Sequence, residues 1–115
     1  MVAAHIEFGR AGEDRAADWY EARGYCVVDR NWRAPFGEID LVVRKGRVLV
    51  IAEVKTRRTD AFGVPALAVN TTKQQRLRRL AVAWLAAHRL SRRLDVRFDV
   101  VGITGESVEV YEGAF

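Results

Sequence analysis

The apolar residues of the chain follow two different spacings. In two stretches they recur every three to four residues, which is typical of a helix with one face packed on a core. In five other stretches β-branched and aromatic residues are concentrated, which indicates strands. The predicted elements, in chain order, are a helix (Arg10 to Arg23), three strands (Tyr25 to Arg33, Glu38 to Arg44, Arg47 to Thr56), a helix that begins near Thr72, and two strands (Val96 to Ile103, Ser107 to Tyr111). This order, α-β-β-β-α-β-β, predicts an α/β fold in which helices flank a mixed β-sheet.

Punctuating residues set the expected limits of these elements. Gly24 is typical of the residue just after a helix, so the first helix should end before it. Thr72 and Gln75 have the spacing of a capping box at the start of the second helix. The continuous apolar run from Val48 to Ala52 favours a central strand covered on both faces.

Length and composition limit the possible classes of protein. The 115 residues are expected to form one domain, residues 1–115, with a core large enough to fold without metal or disulfide support. Cys26 is the single cysteine, which excludes an internal disulfide and a multi-cysteine zinc cluster, and it is expected to be buried beside Val27. The longest apolar run is too short to span a membrane and the first residues lack a secretion signal, so we expect a cytoplasmic protein.

The net charge of +4 is unevenly distributed. Basic residues far outnumber acidic ones between Arg57 and Arg97, which suits a polyanionic partner such as nucleic acid. A solvated basic surface without a specific partner is the alternative. The residues expected to contact phosphates are Arg57, Arg58, Lys73, Arg76 and Arg79.

Two acidic residues face each other in the predicted second hairpin. A two-residue turn at residues 45–46 would place Asp40 opposite Ile51 and Glu38 opposite Glu53. Like charges that face each other across strands destabilise a sheet. Protonation of one carboxyl group would relieve the repulsion, and so would a bound divalent ion.

The alternation of side chains places Glu38, Asp40, Glu53 and Lys55 on the same face of this hairpin. In the predicted register Asp40 and Glu53 are diagonal neighbours, about 7 Å apart at their Cβ atoms. Two carboxylates at this separation can hold Mg²⁺ or Mn²⁺, which prefer oxygen ligands. Such an ion would activate water for phosphodiester hydrolysis, and Lys55 would position that water or stabilise the transition state. Glu13, on the inward face of the first helix, could complete the metal site or simply pair with an arginine.

Several short motifs together resemble a known family. They are Gly12-Glu13, Arg30-Asn31, Gly37-Glu38-Ile39-Asp40-Leu41, Glu53-Val54-Lys55-Thr56-Arg57, Phe62-Gly63, Lys73 and Arg97-Phe98-Asp99. The combination is similar to the YraN family of small bacterial proteins, which is assigned to the restriction-endonuclease-like, PD-(D/E)xK superfamily. The layout is also similar to that of archaeal Holliday-junction resolvases.

The resemblance implies specific roles for the site residues. It assigns metal binding to Glu13, Asp40, Glu53 and the Val54 carbonyl, and it makes Lys55 the catalytic lysine together with Asp40 and Glu53. Glu38 is either a group that supports these ligands or a salt-bridge partner of an arginine on the neighbouring strand. Asp99 is expected to form a structural salt bridge rather than to face the site.

The sequence therefore predicts a metal-dependent nuclease that acts on DNA, with branched DNA as one candidate substrate, and that could work as a homodimer. A catalytically weak nucleic-acid-binding module on the same fold is the main alternative. A protein–protein adaptor that uses the helix carrying Trp84 is a further one.

Overall fold

The computed structural model describes residues 2–57, 69–90 and 93–115, with side chains from Arg10 onward. These residues form two helices and five strands: α1 (Val2–Glu21), β1 (Cys26–Ala34), β2 (Gly37–Lys45), β3 (Val48–Arg57), α2 (Thr71–Ala87), β4 (Asp95–Thr104) and β5 (Ser107–Tyr111). The element order is the predicted one, and the α/β class with a mixed sheet is confirmed. Of the two helices, neither is both long and apolar enough to cross a lipid bilayer.

The five strands form one sheet in the order β1-β2-β3-β4-β5. All neighbours are antiparallel except β3 and β4, which are parallel. A parallel pair needs a crossover connection, and α2 lies in the connection between these two strands. The crossover places α2 against one face of the sheet.

The two helices cover opposite faces of the sheet. Ala16, Ala17 and Tyr20 of α1 are fully buried against one face, as the helical spacing predicts. Leu77, Leu80, Ala81 and Trp84 of α2 are buried against the other face. The central strand β3 contributes alternate residues to both cores, which confirms the interpretation of its continuous apolar run.

The turn between β2 and β3 differs from the predicted one. Lys45 pairs with Val48, so the turn residues are Gly46 and Arg47 rather than Lys45 and Gly46. Gly46 has φ +58°, and a tight hairpin favours glycine with positive φ at the first of its two turn residues. The register therefore shifts by two residues. A shift of two residues leaves the predicted faces unchanged from Leu41 to Lys45, but Glu38 no longer faces Glu53.

Three local predictions also need correction. The residue that caps α2 is Asn70, whose side chain accepts a hydrogen bond from the Lys73 amide, so the capping box at Thr72 is wrong. Helix α1 begins at Val2, eight residues before the predicted start at Arg10. Cys26 is exposed, because it lies on the edge strand β1 rather than in the core.

Candidate active site

Asp40 and Glu53 are adjacent in the sheet. Leu41 pairs with Ala52, and continuing this register places Asp40 level with Glu53 on the next strand. The predicted pairings of Asp40 with Ile51 and of Glu38 with Glu53 are thus replaced by a direct Asp40–Glu53 approach. Glu53 is only 7% exposed, and the Asp40 Oδ2 atom accepts a hydrogen bond of 2.8 Å from the Val54 amide.

The backbone beside Asp40 departs from regular strand geometry. Ile39 and Val42 both pack toward α2 whereas Leu41 packs toward α1, so the alternation of β2 is interrupted at Asp40. The β1 register places Asn31 level with Asp40, and Asn31 has φ +50°. Asparagine is among the few residues that adopt this left-handed conformation readily. The irregularity lies at the carboxylate pair, where unusual backbone geometry is often functional.

The two carboxylates repel each other in a partly dry environment. Burial and, second to it, the charge of Glu53 raise the pKa of Asp40 to about 7. The hydrogen bond from the Val54 amide acts in the opposite direction. Glu13 and Glu38 contribute in the same direction as Glu53. A pair of acids with this electrostatic character binds a proton or a cation more readily than an isolated acid does.

Two lysine ammonium groups lie next to Glu53. Lys73 Nζ is 2.7 Å from Glu53 Oε1, and Lys55 Nζ is 3.6 Å from the same oxygen. Burial lowers the pKa of Lys73, but its hydrogen bonds to Glu53 and Lys55 and the negative charges of Glu53 and Asp40 together outweigh this effect, so the pKa is raised. Burial, together with the neighbouring Lys73, lowers the pKa of Lys55. Lys73 therefore supplies the closest positive charge to Glu53.

Glu13 approaches the carboxylate pair from α1. Its Oε1 atom accepts a hydrogen bond of 3.0 Å from Asn31 Nδ2, and burial raises the pKa of Glu13. The preceding Gly12 packs so closely on Thr56 that an added Cβ atom would overlap the threonine hydroxyl. This close helix–strand approach brings Glu13 to the end of the sheet that carries Glu53. Arg30, which could have paired with Glu13, instead binds Asp14.

Two roles were predicted for Glu38: support of the metal ligands, or a salt bridge with an arginine of the neighbouring strand. It forms an ion pair of 3.2 Å with Arg33, and it also lines a cavity of about 270 Å³. The residues that line this cavity, within the described part of the chain, are Gly37, Glu38, Asp40, Glu53, Lys73, Arg76, Leu77 and Leu80. The carboxylate pair is thus open to a ligand beside the first turns of α2.

The basic residues predicted to bind phosphate are placed differently. Arg76 lines the cavity, whereas the Arg79 guanidinium lies 4.6 Å from the centre of the Phe36 ring. Arg57 is the last residue of β3, the strand that also carries Glu53. Arg58 lies outside the described residues. Lys73, expected as a phosphate contact, is instead a direct partner of Glu53, a role that its spacing in the sequence did not suggest.

Asp99 has the structural role that was expected. It is fully buried, accepts hydrogen bonds from Arg97 and from the Tyr20 hydroxyl at 2.7 Å, and accepts one from the Gly113 amide. It lies on the α1 face of the sheet, in register with Ala52. Asp99 therefore anchors α1 and the C-terminal segment.

The donor atoms fit a hard divalent ion, although they are not gathered as a closed site. Among the described residues, no three acidic, histidine or cysteine side chains converge closely enough to hold a metal. Two carboxylates nevertheless approach each other across neighbouring strands, and oxygen donors of this kind suit Mg²⁺ or Mn²⁺. Asp40 and Glu53 are the residues that would hold such an ion, and each now has a partner, the Val54 amide and the Lys73 ammonium respectively.

Comparisons with known proteins place the chain among uncharacterised bacterial proteins. The model of the uncharacterised protein family UPF0102 matches residues 12–103. A UPF0102 protein of Thermodesulfovibrio yellowstonii is 45% identical over 112 residues, which cover 97% of this chain and 98% of the relative. A UPF0102 protein of Beutenbergia cavernae is 55% identical over 102 residues, 89% of this chain and 86% of the relative. A UPF0102 protein of Geobacter sulfurreducens is 49% identical over 98 residues, 84% of this chain and 74% of the relative. The chain therefore belongs to the UPF0102 family, which is the YraN family that its motifs predicted.

Proposed function

We propose that this protein is a divalent-metal-dependent nuclease that hydrolyses phosphodiester bonds in DNA, on a fold of the restriction-endonuclease-like, PD-(D/E)xK type. The observation that carries the proposal is the buried approach of Asp40 to Glu53, with Lys55 two residues further along β3. A purely structural carboxylate pair would not need an open cavity beside it. Paired acids next to an ammonium group are the donor set that metal-assisted phosphodiester hydrolysis requires.

Each residue would have a defined part in the reaction. Asp40 and Glu53 would hold Mg²⁺ or Mn²⁺, and Glu13 and the Val54 carbonyl would complete the ligand set. When bound, such an ion activates water and neutralises charge that develops on the phosphoryl oxygens. Lys55 would hold the attacking water in line with the phosphorus and stabilise the transition state. Its lowered pKa favours exchange of a proton with that water.

The surroundings of the site suit a polyanionic substrate. Arg76 lines the same cavity as the carboxylates, and Arg57 lies four residues beyond Glu53 on β3. Basic groups at these places would hold the phosphate backbone without selecting a base sequence. A homodimer would present two such sites to a branched or duplex substrate, and we include it in the proposal.

Cleavage assays with defined DNA substrates test the proposal. Linear duplex, nicked, branched and single-stranded DNA are incubated with the protein in Mg²⁺ or Mn²⁺. Asp40→Asn and Glu53→Gln are expected to abolish cleavage, and Lys55→Gln to slow it by about 10²–10³-fold. Asp18→Asn, which removes an exposed carboxylate of α1, is the matched control and should leave cleavage unchanged. Cleavage by Asp40→Asn at the wild-type rate would refute the proposal.

One contact favours a second candidate, a nucleic-acid-binding module without catalysis. Lys73 already neutralises Glu53 at 2.7 Å, so the protein supplies its own cation at this position. Under this alternative, DNA binding would not require divalent ions and would survive Glu53→Ala. The same cleavage assay, combined with binding measured in EDTA, separates the two candidates.

A further inference from the structure

A second cavity lies at the opposite end of the sheet from the carboxylate pair. Its volume is about 570 Å³, and it lies where the β2–β3 turn meets the segment after α2. The described residues that line it, here called the arginine cleft, are Arg44, Arg47, Leu90, Arg93 and Leu94. Nothing in the proposed reaction uses these side chains.

Two of the arginines are held by the main chain. Arg44 Nε donates to the Gly46 carbonyl at 2.9 Å, and Arg47 Nε donates to the Arg93 carbonyl at 3.1 Å. A guanidinium fixed through Nε presents its two terminal amino groups as a fork, the geometry that binds phosphate with two hydrogen bonds. The backbone has therefore oriented two phosphate-binding groups before any ligand arrives.

The charge of the cleft points to an anionic ligand. No acidic side chain is among its lining residues in the described part of the chain. Asp95, the nearest acid in sequence, pairs with Val48, and alternation directs both toward the α1 face. Arg44 and Arg47 project to the other face, together with Val42 and Leu49. Leu90 and Leu94 add an apolar wall that a sugar ring can pack against.

We infer that the arginine cleft is a phosphate-binding site for a nucleic-acid backbone, separate from the carboxylate pair. Arg44 lies four residues from Asp40 on β2, about 14 Å at the usual rise of a strand. Successive phosphates of one DNA strand lie about 3.4 Å apart along the duplex axis, so this separation corresponds to about four base pairs. Helix α2 lies on the same face of the sheet, with Lys73 near Glu53 in its first turn and the cleft beyond its last turn. One duplex can reach both places, and the inference rests on the proposed function for the choice of nucleic acid as the ligand.

DNA binding in EDTA isolates the cleft from metal binding and cleavage. The affinity of a fluorescent 20-base-pair duplex is measured by anisotropy over a range of salt concentrations. Arg44→Gln/Arg47→Gln is expected to lower the affinity at 0.1 M salt by about 10-fold or more, and to reduce the salt-dependence slope by about 2. Arg23→Gln/Lys45→Gln is the matched control, because it removes the same charge at the same end of the sheet on the α1 face. The control should bind as the wild-type protein does.

A charge-conserving variant keeps the inference testable if the glutamine variant does not fold. Arg44→Lys/Arg47→Lys retains both charges but loses the forked donors, so its affinity should fall several-fold while its circular dichroism stays that of the wild type. Equal losses in the cleft and control variants would overturn the inference, as would wild-type affinity in both cleft variants. Binding of poly-glutamate as tightly as DNA would also overturn it.

The outcome is independent of whether the protein cleaves DNA. If the wild-type protein does not cleave DNA in Mn²⁺ but the cleft variant binds DNA more weakly than wild type in EDTA, only the nuclease proposal is refuted. If the wild-type protein cleaves DNA in Mn²⁺ but the cleft variant binds DNA with wild-type affinity in EDTA, only the inference about the arginine cleft is refuted.

Discussion

The environment of Asp40 is unlike that of an ordinary surface acid. Asp40 is level with Glu53, is bonded to the Val54 amide, and has a pKa raised to about 7. Burial of a charge beside a like charge destabilises the folded protein unless something compensates for it. Lys73 compensates for Glu53, and a divalent ion would compensate for both carboxylates. The pair is thus costly to maintain, which is expected of a functional site.

Asp40→Asn should make the protein more stable at high pH. The folded-state pKa of about 7 exceeds the ordinary aspartate value of 3.8, so the folded state holds the Asp40 proton more strongly than the unfolded state. The associated stability is complete below about pH 4 and is lost as the pH rises to about 7. The variant should therefore gain about 1–3 kcal/mol in unfolding free energy over wild type at pH 8, and almost nothing at pH 4.

Urea unfolding at the two pH values measures this difference. Asp18→Asn serves as the control, because it neutralises an exposed acid of α1. An equal effect of Asp40→Asn at pH 4 and pH 8 would contradict the assigned origin of the shift. Added Mg²⁺ should stabilise the wild-type protein at pH 8 but not the variant.

The residues of the candidate site differ in how far the sequence could indicate them. Alternation along two strands is a local rule, so it correctly placed Asp40, Glu53 and Lys55 on one face. Lys73 and Asn31 could not be assigned in this way. Lys73 reaches Glu53 because α2 packs on the sheet beside β3, and Asn31, whose φ is +50°, reaches Glu13 from the edge strand β1. Both contacts join distant parts of the chain.

At the level of elements, the β2–β3 hairpin shows why a register is harder to predict than a face. The pattern of alternation is unchanged when the pairing shifts by two residues, so it cannot separate the predicted turn from the observed one. Gly46 distinguishes the two turns, because its positive φ suits the first of the two turn positions. In the observed register Leu41 pairs with Ala52, so Asp40 and Glu53 are the next residues on their two strands, and both line the same cavity.

The start of α2 gives a test at the same scale. Asn70 caps the helix through Lys73, whose side chain binds Glu53, so this cap supports both the helix and the site. Asn70→Ala is expected to lower the unfolding free energy by about 1 kcal/mol. Thr72→Ala, at the cap predicted from sequence, should change it by less than about 0.5 kcal/mol, because Thr72 is exposed inside the first turn.

Chemical denaturation of the two alanine variants measures these effects side by side. The opposite order of effects, with Thr72→Ala the more damaging, would mean that the capping box forms in solution.

At the level of the whole molecule, helix α2 relates the two candidate sites. The carboxylate pair lies beside its first turn and the arginine cleft lies just beyond its end, both on the same face of the sheet. The α1 face carries a different set of polar contacts, centred on the buried Asp99 and its bonds to Arg97 and Tyr20. The α2 face therefore carries most of the residues of the proposed chemistry, to which α1 adds Glu13, whereas the polar contacts of Asp99 on the α1 face stabilise the fold.

The layered architecture was predictable because it depends on the helical spacing of apolar residues in α1 and α2 and on the apolar strands between them. The arginine cleft was not predictable from the sequence, because Arg44 and Arg47 lie at the β2–β3 turn whereas Leu90 and Leu94 lie after α2. Only the parallel pairing of β3 with β4 brings these segments together.

The central claim is that Asp40 and Glu53 hold a divalent ion, and crystals of the protein soaked in Mn²⁺ test it most directly. The account predicts an anomalous difference peak between the two carboxylates, about 2.1–2.2 Å from their oxygens, with Lys73 Nζ displaced from its 2.7 Å contact with Glu53. Glu13 and the Val54 carbonyl should lie within reach of the same peak. Saturating Mn²⁺ that leaves no peak there, with Lys73 still bound to Glu53, would contradict the account.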